Sequence, residues 1–191
     1  MTTTTGTTTT PMPGATEDGG CPVVLPVGRQ GRDEVAPIAP LAAGVAGASL
    51  TVLDISKVRS DVFADALEAG LRAAGCDSVD RGVAPPSQRL DEQDLADIGS
   101  SHDGAVLALA DCGTCTSWTM FDAIELHRHG CRAVLVTTRA LRPTVDALAP
   151  RLGMASLPVV EVELPNREQT ADEIRATAAA VVPAVIAALT S

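Results

Sequence analysis

Gly104-Ala-Val-Leu-Ala-Leu-Ala110 runs directly into Asp111-Cys-Gly-Thr-Cys-Thr116, and this junction decides the fold. Seven consecutive apolar residues without alternation predict a strand buried on both faces, as in the centre of a parallel sheet. The residues after the cysteines predict a helix from about Ser117 to His129, closed by Gly130. Working outward, Cys131-Arg-Ala-Val-Leu-Val136 reads as the next strand, and Arg142-Pro143 opens another helix. Pro158 to Glu163 reads as the last strand, and Thr170 to Leu189 as a final helix that Pro183 should kink.

Upstream, Leu50 to Ile55 is a β-branched run that predicts the first strand. Ser60-Asp61 then caps a helix with Phe63, Ala66, Leu67, Gly70, Leu71 and Ala74 at helical spacing, ended by Gly75. Cys76 to Val79 is a weak second strand, followed by a Pro85-Pro86 loop and a short acidic helix over Leu90 to Ile98. Strand and helix alternate throughout. That predicts a three-layer α/β sandwich around a mainly parallel, doubly wound sheet of flavodoxin-like type, with ligands bound beyond the carboxyl ends of the strands.

The rest of the chain divides by composition. Residues 1–20 are a Thr-rich, low-complexity tail that cannot bury enough apolar area to order itself. Residues 21–48 form a Pro/Gly/Ala-rich arm, with a short helix expected at Ala36 to Ala43, and residues 49–191 the α/β catalytic domain. Aromatic residues are 2% of the chain, which excludes base stacking as a main binding device, and a net charge of -10 argues against nucleic-acid or anionic-membrane partners. No apolar run is expected to reach membrane-spanning length, and the Thr-rich start does not read as a secretion signal. Five cysteines without an export signal predict a reducing compartment, the cytoplasm.

In such a compartment Cys112 and Cys115 read as a paired-thiol active site. The free N–H groups and positive dipole end of the following helix favour a thiolate, Gly113 lets the backbone turn tightly, and the spacing lets the two sulfurs meet. Cys112, at the outer end of the loop, takes the role of attacking thiolate, and Cys115, on the first turn, that of resolving thiol. Asp111 is placed to orient the helix or move a proton, although its charge opposes thiolate formation. Half a zinc site and a pair of merely buried thiols are the competing readings.

Lys57, the chain's sole lysine, is expected just past the first strand at the same sheet edge. Its ammonium is suited to lowering a thiol pKa or binding a substrate carboxylate; a solvated lysine capping a turn is the alternative. Thr137, Thr138 and Arg139 occupy the next strand's carboxyl end as candidate donors to an anionic substrate. With Ser56, Gly113, Thr114, Thr116 and Ser117, the threonines and Lys57 form the candidate substrate-binding set. Trp118 is expected beneath the active loop, and His127 and His129 on the outer helix surface. Cys76 and Cys131 read as incidental, as does Cys21 unless the arm brings it near the loop.

The stretch Asp111 to Leu126 resembles the UGSC-motif proteins, usually described as selenoproteins. Leu53 to Lys57, Asp61 to Leu67 and the Leu164-Pro-Asn-Arg167 turn support the resemblance, which extends over Leu50 to Leu189. The motif is also similar to the selenocysteine-Gly-Thr-Cys-Thr of the glycine, sarcosine, betaine and proline reductase subunits. The resemblance implies that Cys112 stands in the selenocysteine place and Cys115 in the resolving place. Those reductases use a pyruvoyl-bearing partner subunit, and nothing in this chain supplies that group. Sulfur is a weaker nucleophile than selenium, so the implied reaction is milder: attack on an already electrophilic small molecule, with net reduction or reductive cleavage. An external thiol system is the expected reductant, no tightly bound cofactor is expected, and the arm suggests a homodimer. Redox-neutral thiol catalysis (isomerisation, elimination or group transfer) and a non-enzymatic thiol sensor or binding module remain open alternatives.

Overall fold

A computed structural model describes residues 34–36, 38–42, 44–163 and 166–191. The tail, Cys21 and the rest of the arm's first half, and Leu164-Pro165 lie outside the described residues. Five strands form one sheet: β1 (Ser49–Asp54), β2 (Ser78–Val83), β3 (Gly104–Ala110), β4 (Arg132–Thr138) and β5 (Val159–Val162). Their order is β2-β1-β3-β4-β5 and every pairing is parallel. This is the flavodoxin-like order, and the chain reverses its winding direction between β1 and β3.

Five α-helices cover the two faces: α1 (Ser60–Ala73), α2 (Glu92–Ser101), α3 (Gly113–Arg128), α4 (Arg142–Leu148) and α5 (Ala171–Thr190). α1 packs on α5, while α3 lies between α2 and α4. β3 and β4 are buried at every position, and each face of the sheet carries its own apolar cluster. Phe63, Leu67 and Leu71 of α1 meet Ile174, Val182, Val185 and Leu189 of α5 in one of them. Gly70 allows that crossing, because a Cβ there would sit 2.5 Å from Val182 Cγ2. Arg132 closes the far end: its buried guanidinium donates to the carbonyls of Ala188 (3.0 and 3.1 Å), Ile38 (2.7 Å) and Ser191.

Several boundaries differ from the sequence expectation. β2 begins at Ser78 and runs on to Val83 through Asp80-Arg81, because an edge strand tolerates polar side chains. Arg81 reaches back to Asp65 and Glu68 of α1 (2.7 and 3.0 Å). Among the described residues of the expected Ala36 to Ala43 helix there is no helical segment, and Pro40 pushes Ala39 toward extended backbone. α5 continues in helical form through Pro183. It is also long and apolar enough to cross a membrane by length and composition, contrary to the expectation that no run would be. Here it lays one stripe, Ile174, Ala178, Val182, Val185 and Leu189, into the core.

Candidate active site

α3 starts four residues earlier than the sequence suggests, because a thiol caps it. Cys112 is extended (φ -146°, ψ 159°), and its Sγ accepts the Cys115 N–H at 3.4 Å. Thr116 N–H and Thr116 Oγ1 both donate to the Cys112 carbonyl at 2.9 Å, and Ser117 Oγ donates to the Gly113 carbonyl at 3.0 Å. These bonds tie the first turn together and hold the two Sγ atoms 2.8 Å apart.

The sulfurs face different surroundings. Cys112 is half-buried and lines an open cleft of about 460 Å³ with Asp111, Thr138, Leu141, Glu163, Arg167 and Glu168. Cys115 is buried and lines a cavity of about 10 Å³, room for one water, between Ile55, Ala84, Trp118, Thr119 and Asp122. Burial pushes the Cys112 thiol up, but the Cys115 S–H, the Cys115 N–H and the Lys57 ammonium outweigh it, and the net shift is downward. Asp111 opposes them. For Cys115, burial and the neighbouring Cys112 sulfur together raise the thiol against the pull of Lys57. Cys112 is therefore the sulfur that ionises first.

Lys57 arrives from β1, whose carboxyl end pairs with β3 (Asp54 beside Ala108). Ser60 Oγ accepts the Lys57 N–H and donates to the Lys57 carbonyl, each at 2.8 Å. The Cys115 sulfur raises the lysine's own pKa despite partial burial. Lys57 thus stands on the far bank of the switch between β1 and β3, where this fold leaves its crevice.

The other candidate residues divide. Gly113 and Thr114 are exposed in front of the pair, and Ser117 is half-buried. Gly113 has no left-handed φ, and nothing lies within 4 Å of where its Cβ would be, so it leaves open space rather than enabling a tight turn. Thr116 and Thr137 are fully buried, with hydroxyls donated to backbone carbonyls (Thr137 to Ala110 at 2.7 Å), so neither presents its hydroxyl to the cleft. Thr138 lines the cleft. Ser56, in a left-handed conformation (φ 58°), gives its hydroxyl to the Ala84 carbonyl at 2.7 Å and shapes the loop. Arg139 is turned toward β5, paired with Glu161 and Glu163 (3.6 and 2.8 Å).

His127 is not on the surface as expected: α3 is flanked by helices on both sides, and the imidazole is buried against Ala133 of β4, with burial pulling its pKa down to about 4. His129 pairs with Glu92 at 3.1 Å. Trp118 is half-buried beside the Cys115 cavity, its ring 6.0 Å from Phe121. Cys131 is buried, its thiol pushed up to about 12, and Cys76 is half-buried. Among the described residues, no group of three or more His, Cys, Asp or Glu is arranged to hold a metal ion.

Sequence reasoning passed over two groups. Arg167 lies 3.8 Å from Asp111 Oδ2 and 3.8 Å from Glu168 at the cleft. Its signal was its place in a loop leaving the carboxyl end of the sheet. Asp122, on the Cys115–Thr119 face of α3, is the second. Its carboxylate accepts Arg89 Nε at 3.3 Å and Leu90 N–H at 3.1 Å, and burial pushes its pKa up to about 6.

The model of the UGSC family matches residues 22–191, a span that includes every strand and helix of this sheet and both cysteines. The chain belongs to the UGSC family. No curated protein matches this UGSC-family chain. Among solved structures, a diflavin flavoprotein A3 from Nostoc sp. is similar at 14% identity, covering 72% of this chain and 90% of that one, with a TM-score of 0.44. The flavodoxin-like domain of a Synechococcus sp. protein is similar at 14% identity, covering 72% and 98%, with a TM-score of 0.42.

Proposed function

We propose that this UGSC-family protein is a cysteine-dependent enzyme that reductively cleaves an activated small molecule. The carrying observation is the arrangement of the sulfurs, 2.8 Å apart, with Cys112 on the open cleft and Cys115 behind it. In the first step the Cys112 thiolate attacks a carbon bearing a leaving group; the S–C bond forms and the leaving group departs with its electron pair. In the second, the Cys115 thiolate attacks Cys112 Sγ, the S–S bond forms, and the carbon leaves with the S–C electrons and takes a proton. A carbon next to a carbonyl fits this sequence, since the departing carbanion is then an enolate. The net result is one substrate reduced by two electrons and one dithiol oxidised to a disulfide, which an external thiol reduces.

The proposal includes a reducing, cytoplasmic setting, no tightly bound cofactor, and neither nucleic acid nor membrane as partner, in keeping with a net charge of -10. It also includes a homodimer, checked by sedimentation. Sulfur in the place the resemblance gives to selenocysteine limits the chemistry to substrates that are already electrophilic.

The test is intact-mass analysis after exposure to α-substituted carbonyl compounds. Cys115→Ser is expected to accumulate an adduct on Cys112, and the wild type a disulfide with released product, one dithiol consumed per turnover. Multiple turnovers without any reductant would instead favour redox-neutral covalent catalysis. A Cys112 that iodoacetamide alkylates no faster than free cysteine at neutral pH would remove both enzymatic readings and leave the sensor or binding module.

A further inference from the structure

Cys115 is buried and lines the inner cavity rather than the open cleft, so the proton of its thiol has to leave through that cavity. The same cavity holds a carboxyl group. Cys115, Thr119 and Asp122 stand at i, i+4 and i+7 of α3, on one face of the helix, and all three are buried and line the chamber. Two helical turns, about 10 Å, separate Cys115 from Asp122, too far for direct transfer. Thr119 stands between them, and the chamber has room for one water. A file of thiol, water, hydroxyl and carboxylate joined by three ordinary hydrogen bonds spans about 9 Å, and the longer Asp122 side chain, leaning toward the helix N-terminus, covers the rest.

Asp122 is held firmly at its end of the file. Its side chain is 3% exposed; Oδ2 accepts the Leu90 N–H at 3.1 Å and Oδ1 accepts Arg89 Nε at 3.3 Å, which leaves each oxygen a further lone pair. Arg89 favours the charged carboxylate, and Glu125, one turn on, opposes it. The other walls of the cavity, Ile55 after β1, Leu107 in β3 and Ser87-Gln88 in the loop after β2, carry no charge. Burial brings the balance to about 6, so at pH 7 the group is a carboxylate still basic enough to accept a proton in passing.

We propose that Asp122 is a positioning residue for the resolving step, receiving the Cys115 proton through one water and the Thr119 hydroxyl as Cys115 attacks Cys112; the inference rests on Cys115 being the resolving thiol. The Cys115 S–H bond breaks, and its electron pair forms the bond to Cys112 Sγ. The Cys115 proton goes to the water, a proton of the water to Thr119 Oγ1, and the Thr119 proton to Asp122. The carbon departs with the S–C pair and takes a proton from solvent in the cleft, and Asp122 then yields its own to solvent.

A dipyridyl disulfide tests this without the natural substrate, because it runs the same two steps on sulfur. Cys112 attacks the probe, releasing one thiopyridone; Cys115 then attacks the mixed disulfide, releasing a second. The full-length chain is used in a Cys21→Ser, Cys76→Ser background, and both phases are followed by absorbance across a pH series. The wild-type second phase is expected to rise to a midpoint near pH 6 and then level off. In Asp122→Asn that inflection should vanish, the rate climbing steadily with pH, and the phase should slow about tenfold at pH 7, less than the usual hundredfold because a thiol also ionises unaided. Thr119→Val keeps the bonds from Asp122 to Arg89 and Leu90 and should show the same change, whereas Thr119→Ser should restore the wild-type profile. The first phase should move far less, because Cys112 does not line the cavity. A second phase with the wild-type pH profile in either Asp122→Asn or Thr119→Val overturns the proposal and leaves the dithiol reaction standing. Release of a single thiopyridone by the wild type removes the resolving role of Cys115, and the proposal with it.

Discussion

Arg167 Nη1 lies 3.8 Å from Asp111 Oδ2, and the carboxylate is nearly buried while the guanidinium is more than half exposed. The pair stands at the mouth of the cleft, one residue before Cys112. Asp111 raises the Cys112 thiol by its charge, so Arg167 acts on the sulfur at one remove by offsetting that charge.

Removing the cation should therefore raise the Cys112 thiol. Arg167→Ala is expected to slow alkylation of Cys112 by iodoacetamide at pH 7 by up to about fivefold, the range of a partly exposed pair. Asp111→Asn should speed it. The double variant should fall near Asp111→Asn, because the arginine then has no charge to offset.

Gly113→Ala should fold as the wild type does, since nothing lies within 4 Å of the new methyl. Helix propensity does not oppose it at this first helical position. If the open space before the sulfurs admits substrate, alkylation by a bulky maleimide should slow more than alkylation by iodoacetamide. Equal slowing would mean reagents approach from another side.

Two buried groups give opposite pH dependences. Asp122, raised from 3.8 to about 6, keeps its proton in the folded state after the unfolded chain has lost it; its contribution is present below about pH 4 and lost as pH rises through about 6. His127, lowered from 6.5 to about 4, works the other way; its contribution is present above about pH 6.5 and lost as pH falls toward 4. In the wild type they offset one another between these limits. In urea unfolding across that interval, Asp122→Asn should lose stability more steeply on acidification, and His127→Gln should gain stability. Parallel curves for all three proteins would contradict these assignments.

Arg132→Met should destabilise by about 3 kcal/mol, because carbonyls at the end of α5 lose buried donors that complement the helix dipole. Hydrogen exchange should accelerate first in the last turn of α5.

Gly70→Ala is expected to cost about 1–3 kcal/mol through the clash with Val182. Val182→Ala in the same chain should return part of it, whereas independent effects would simply add.

β3 is legible because burial on both faces leaves an uninterrupted apolar run, and Lys57 because a strand followed by a loop has one place to go in a parallel sheet. β2 is longer than its sequence suggests because its edge position permits Asp80 and Arg81, which look like loop. The start of α3 is hidden because capping rules favour Ser, Thr, Asp and Asn, whereas here a sulfur accepts the N–H. Thr116 and Thr137 look like ligand donors in a string of letters; only the fold turns their hydroxyls to carbonyls. Asp122 and His127 are opaque for a related reason, since Leu90 and Ala133 meet them through backbone atoms, which carry no mark in the sequence.

The unequal spaces beside the two sulfurs should also sort reagents by size. A reagent too large for a one-water chamber can touch the outer sulfur alone. Repair of an oxidised pair by any protein thiol would then have to begin at Cys112, with Cys115 expelled inward as the leaving group.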